Sequence, residues 1–278
     1  MRLENVTLFC FFASYLVALG FEAVPLLKKL KWSHWAALFS AAAGLVAQTA
    51  YLMARSRDTA LPPLLNSTHD WLLVLAWLIV LLYLVVELAD RRIALGLFVL
   101  PLVLALVGAS RLVSDVHNPS LGESRNLGMF HAAMLVLGMA GVFIGFVMSL
   151  MYLVQHRRLK SKRGELPGLH MLSLETLGRV NWWAVVLSVP LLTAGMATGV
   201  WLTFLPHEST GAIELRRFEF LISGLLWLTM VALFFWLLTS RRPGGRVVAW
   251  RTMWACGFML VTLVLLQVLS GGGIHGTG

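Results

Sequence analysis

The chain has 278 residues, 59% of them apolar and 13% charged, with a mean hydropathy of +0.81. That usage excludes an ordinary soluble globular domain. The formal charge of +9 is not a nucleic-acid signal, because the basic residues fall in short gaps between apolar runs, where they set topology.

The apolar runs are long enough to cross a hydrocarbon core of roughly 30 Å as helices. They predict eight spans, at about 6–24, 34–53, 70–88, 93–110, 128–154, 181–204, 218–239 and 248–269. The expected fold is all-α, a single integral membrane domain over residues 1–278 with both termini outside.

The first run has a weak basic lead (Arg2 balanced by Glu4), is followed by Lys28, Lys29 and Lys31, and shows no small-x-small cleavage pattern. It reads as a retained span rather than a signal peptide. Glu22 at its inner end, and Glu87 at the inner end of the third span, are expected to pair with Lys28, Arg91 or Arg92. The second span opens on His34 and Trp35, read as interfacial anchors, and contains Gln48, expected to hydrogen-bond across helices. The third span opens with "NSTHDW", which places His69 beside Trp71. His117 lies in the polar loop before the fifth span and reads as a surface residue.

The fifth span carries His131 one turn inside, then Gly138, Gly141 and Gly145. The sixth repeats the four-residue glycine spacing at Gly195 and Gly199 and ends near Trp201. Such spacing lets helices approach closely; it would equally let a flat macrocycle lie on the backbone. Between these spans, "QHRRLKSKRG" can rest on anionic headgroups. The residues after it, through Val180, have near-helical apolar spacing and read as a short interfacial helix or a tether. His207 follows the sixth span. Cys10 and Cys256 both lie inside spans and do not form a redox or zinc motif. The chain ends in "LSGGGIHGTG", with His275 after the last span.

With the N-terminus outside, fifteen of the 22 cations fall in inner loops and seven outside, in line with the positive-inside rule. His69, His131, His207 and His275 then share the outer edge. A neutral imidazole is an axial ligand for haem iron and binds zinc or copper, so this group is the candidate site. Trp71 and Trp201 sit beside candidate histidines; they read as aromatic-belt residues or as walls for a porphyrin. Arg111, Arg125, Arg216 and Arg217 are outer cations able to pair with propionates. No string of buried carboxylates favours an ion-coupled transporter, and no hydrolase, phosphate-loop or dinucleotide motif is present.

Four stretches carry a family resemblance: "NSTHDWLLVLAWLIVLLYLVVEL", "GMFHAAMLVLGMAGVFIGFVMSLMYLVQHRRLK", "LETLGRV…AGMATGVWL" and "LSGGGIHGTG". In this order they resemble the cytochrome c assembly family, which includes CcsA-type and HemX-type proteins. The resemblance implies that His131 and His275 are axial ligands of haem, with His69 and His207 as substitutes. In the synthase branch a Trp-rich loop lies between these two histidines. Here "FLPHESTGAIELRR" stands in its place, so the chain is closer to the HemX-like branch and enzymatic activity is not expected.

The implied function is to hold, transport or sense haem, with b-type haem expected, in the cytoplasmic membrane of a bacterium. Expected partners are haem, the lipid bilayer, other haem-handling membrane proteins or a haem-synthesis enzyme. Rival readings are a regulator of tetrapyrrole synthesis acting through the inner basic loop, a subunit of a haem-attachment system, and a zinc or copper site on the same histidines.

Overall fold

A computed structural model describes residues 8–24, 32–59, 61–89, 95–113, 125–160 and 172–204, parts of 224–239, and 245–271, the last helix with side chains to residue 261. The helices are α1 (Leu8–Ala23), α2 (Ser33–Thr59), α3 (Pro63–Asn66), α4 (Thr68–Ala89), α5 (Gly96–Ser110), α6 (Arg125–Lys160), α7 (Leu174–Phe204) and α8 (Gly245–Gly271). No strand occurs among the described residues. The described residues are all-α, as the apolar runs predict. Among the described residues α2, α4, α6 and α7 are long and apolar enough to cross a membrane, and α1 and α5 are shorter apolar helices. Among the described residues, four of the eight expected spans meet the length requirement.

The helices outrun their apolar runs at polar ends. α2 continues through Arg55, Arg57 and Asp58 to Thr59, and α6 runs on to Lys160. A backbone leaving hydrocarbon must keep its hydrogen bonds paired, and long basic side chains can reach water from a continuous helix. The expected interfacial helix before residue 180 is corrected in part: residues 174–180 are the opening turns of α7, while 161–171 lie outside the described residues.

The chain forms two compact units. The first comprises residues 1–116 and 154–174, the second residues 117–153 and 175–278. In unit 1, α1 packs against α2 and α5, and α4 packs against α2 and α5. Association in lipid rests on close packing and interhelical hydrogen bonds rather than on the hydrophobic effect. Gly44 supplies the first: a Cβ there would stand 2.6 Å from Tyr15 Cε1. Gln48 supplies the second, as expected: Tyr15 donates to its carbonyl oxygen at 2.6 Å, and its amide donates to the Leu73 carbonyl at 2.9 Å. One buried side chain thus ties three helices.

The expected partners of Glu22 and Glu87, Lys28, Arg91 and Arg92, lie outside the described residues. Among the described residues both carboxylates face His34. Its Nδ1 is 3.7 Å from Glu22 and its Nε2 3.9 Å from Glu87. Tyr83 donates to Glu22 at 3.1 Å, and the Leu95 N–H donates to Glu87 at 3.2 Å.

Unit 2 is built on glycine contacts between α6 and α7. A Cβ on Gly138 would stand 2.7 Å from Leu192 Cγ, and one on Gly141 2.9 Å from Ser188 Cβ. Gly145 faces Thr252 and Cys256 of α8. Ser149 donates to the Asn181 carbonyl at 3.1 Å, and the Asn181 amide donates to Thr252 at 3.4 Å, joining α6, α7 and α8. Both cysteines are free.

Candidate functional site

His131 lies in the second turn of α6, half-buried against α7. Its Nδ1 is 2.8 Å from the Gly195 carbonyl and 3.3 Å from Thr198 Oγ1. A carbonyl can only accept, so Nδ1 carries the proton and donates. The neutral ring then has its lone pair on Nε2. Nε2 makes no hydrogen bond to any described residue. Thr198 holds its own hydroxyl on the preceding turn, donating to Ala194 O at 2.8 Å, a common way for a helical threonine to satisfy itself.

The ring lies on bare backbone. A Cβ on Gly199 would stand 2.8 Å from His131 Cε1 and 3.7 Å from Nε2. The second glycine of the α7 pair is therefore a seat for an imidazole, while the first, Gly195, receives Leu135. A different side of α7, with Thr193, Met196 and Val200, lines an open apolar groove of about 510 Å³ shared with Leu225 and Trp227. The Trp227 indole donates to Thr193 at 2.9 Å. Trp201 is 66% exposed.

His69 is held differently. It is buried in unit 1, with Nδ1 2.7 Å from the Ser110 carbonyl at the end of α5 and Nε2 3.4 Å from the Tyr51 hydroxyl. Beside it, Arg55 Nε meets the buried Asp70 carboxylate at 2.7 Å, and the Asn66 amide donates to the other oxygen of Asp70. The Ser67 hydroxyl accepts the Asp70 N–H at 3.2 Å and caps the start of α4. Sequence reasoning missed this knot around Arg55 and Asp70. Its legible signal is the cap pattern "NSTHD" ahead of an apolar run, which marks a helix start and not a binding site.

Of the other candidates, Trp71 is half-buried in unit 1, and Arg111 and Arg125 are exposed. His207, His275, His117, Arg216 and Arg217 lie outside the described residues. Among the described residues no three His, Cys, Asp or Glu side chains gather in a way that would hold a metal ion.

The family model described as "Cytochrome C assembly protein" matches residues 65–275. The chain belongs to the cytochrome c assembly family. No curated protein and no solved structure matches it. Membership points to a role in cytochrome c biogenesis and associates the chain with haem handling. The family match takes in His69, His131, His207 and His275 and begins after α2, so Glu22 and His34 stand outside it.

Proposed function

We propose that this chain handles haem in the cytoplasmic membrane of a bacterium and holds it through Nε2 of His131. The observation that carries this reading is the Nδ1–H bond to the Gly195 carbonyl. Metal-ligating histidines commonly donate their second ring N–H to a carbonyl or carboxylate, which fixes the tautomer and raises ligand basicity. The donor chemistry at His131 fits an axial haem ligand. Haem bound there supplies a low-spin iron centre when a second imidazole completes the pair.

His275 is the proposed partner by family pattern, with His207 as its substitute and haem of b type. Trp201, exposed near the same end of α7, serves as a porphyrin wall in this reading. His69 drops out of the proposed ligand set: it is buried, with its Nε2 turned to Tyr51. In this reading the site holds haem for transfer or sensing, on the HemX-like side of the family, because "FLPHESTGAIELRR" stands where the synthase branch has its Trp-rich loop.

An absorption spectrum tests this. Purified protein is read oxidised and reduced, beside His131→Ala and His275→Ala. The expected result is a Soret band with resolved α and β bands on reduction, weakened in both variants. A colourless protein that also takes up no added haem overturns the reading.

A further inference from the structure

We infer that α7 selects the ligating atom of His131, with Gly199 acting as the positioning residue. This deepens the haem reading and rests on it for its consequence, but the geometry itself belongs to the protein without haem.

An imidazole on a helix has two rotatable bonds, so a fixed ligand direction needs two constraints. The Gly195 carbonyl supplies one, by accepting Nδ1–H at 2.8 Å. It sets the tautomer and the edge of the ring that faces α7. Gly199 supplies the second by steric absence. The ring edge from Nδ1 through Cε1 to Nε2 runs across the place a Cβ would fill, at 3.3, 2.8 and 3.7 Å. A side chain at 199 must displace the ring, because real Cβ contacts do not reach 2.8 Å, and the displacement is expected to weaken the bond to Gly195. Loss of that bond frees the tautomer and lowers the ligand's basicity.

Gly138 provides a matched comparison. It lies on α6, two turns beyond His131, and a Cβ there would come just as close, 2.7 Å, but to Leu192. Gly138→Ala disturbs the same pair of helices without touching the imidazole. A role in helix packing alone would make the two alanine variants alike.

The experiment uses the full chain in detergent, labelled with ¹⁵N-histidine, first without haem. His131→Gln assigns the resonance. We expect wild-type His131 to show a protonated Nδ1 and an unprotonated Nε2, and Gly138→Ala to keep that pattern. Gly199→Ala should show mixed tautomers, and after loading with haemin a displaced Soret band and at least a ten-fold loss of haem affinity. An Nε2–H tautomer in the wild type overturns the inference. So does a Gly199→Ala protein that matches Gly138→Ala in both tautomer and spectrum. If the wild type shows the expected tautomer but takes no haem, the haem reading fails while the seat stands. The wild-type tautomer measurement decides the geometry even where Gly199→Ala does not fold.

Discussion

Among the described residues each unit holds a histidine against a helix carbonyl, and the two are held to opposite effect. His69 in unit 1 gives Nδ1 to Ser110 and turns Nε2 to Tyr51, in a sealed environment. His131 in unit 2 gives Nδ1 to Gly195 and leaves Nε2 without a hydrogen-bond partner among the described residues. The same first bond makes one ring a fastener and gives the other the tautomer that the proposed ligand role requires. What differs is the surroundings: a phenol and a buried ion pair beside His69, a bare glycine beneath His131.

The comparison breaks most visibly at the ion pair. Arg55 and Asp70 meet at 2.7 Å, with Asp70 fully buried and Arg55 one-fifth exposed. Removing one member leaves the other charged and uncompensated, which costs about 3–5 kcal/mol when the pair is buried. Asp70→Ala should therefore lower the unfolding midpoint more than any other change named here. Arg55→Met with Asp70→Leu should recover much of the loss, because a well-packed apolar pair avoids the desolvation cost. Thermal unfolding followed by circular dichroism in detergent checks both. Equal loss in the single and double variants would show that the pair does more than neutralise itself.

The histidines give the second effect. His131→Ala should lose haem by at least about ten-fold in affinity, equivalent to about 1.4 kcal/mol, with little change in unfolding midpoint. His69→Ala should do the reverse, keeping its haem spectrum while losing the clamp on α5. Spectra and melting curves taken on the same preparations test the contrast. A His69→Ala protein that loses its Soret band would place both histidines in one site.

How much of this was legible depends on what each residue does to a local pattern. The four long apolar helices α2, α4, α6 and α7 were legible because length and hydropathy suffice to mark a helix in lipid. Gln48 was legible too, since a lone amide in an apolar run must find a partner. The helix ends were not, because Arg55 and Lys160 read as loop by hydropathy but continue a hydrogen-bonded helix. Asp70 was not, because its partner Arg55 lies fifteen positions away, across a turn and α3. The glycine pair in α7 was legible as a close approach, but not what approaches. Only the structure shows that Gly195 meets a leucine and Gly199 an imidazole.

Buried neutral hydrogen bonds come next. Gln48→Leu removes the acceptor of the Tyr15 hydroxyl and a second donor to the Leu73 carbonyl in unit 1; Asn181→Leu removes the partner of Ser149 and of Thr252 in unit 2. Interhelical bonds of this kind contribute about 0.6 kcal/mol on average and up to about 1.7. Gln48→Leu should cost more than Asn181→Leu, because its two bonds are 2.6 and 2.9 Å against 3.1 and 3.4 Å. Denaturant titration of both variants ranks them, and the reverse order would show that these distances do not measure the ties.

The smallest effect sharpens the contrast furthest. Arg179 and Glu175 form an ion pair at 2.8 Å on α7, almost the length of the Arg55–Asp70 contact. Distance alone would rank the two pairs together. Their side chains are 69% and 81% exposed, however, so water and salt screen the attraction and two mobile chains must be ordered to make it. An exposed i,i+4 pair contributes about 0.3–0.5 kcal/mol before screening by salt. Glu175→Gln should shift the unfolding midpoint barely above error at low salt and not at all in about 1 M salt, where the Debye length falls to about 3 Å. Asp70→Ala should keep most of its effect in the same buffer. If both variants respond alike to salt, the Arg55–Asp70 pair is open to water, and the sealed setting claimed for its neighbour His69 fails with it.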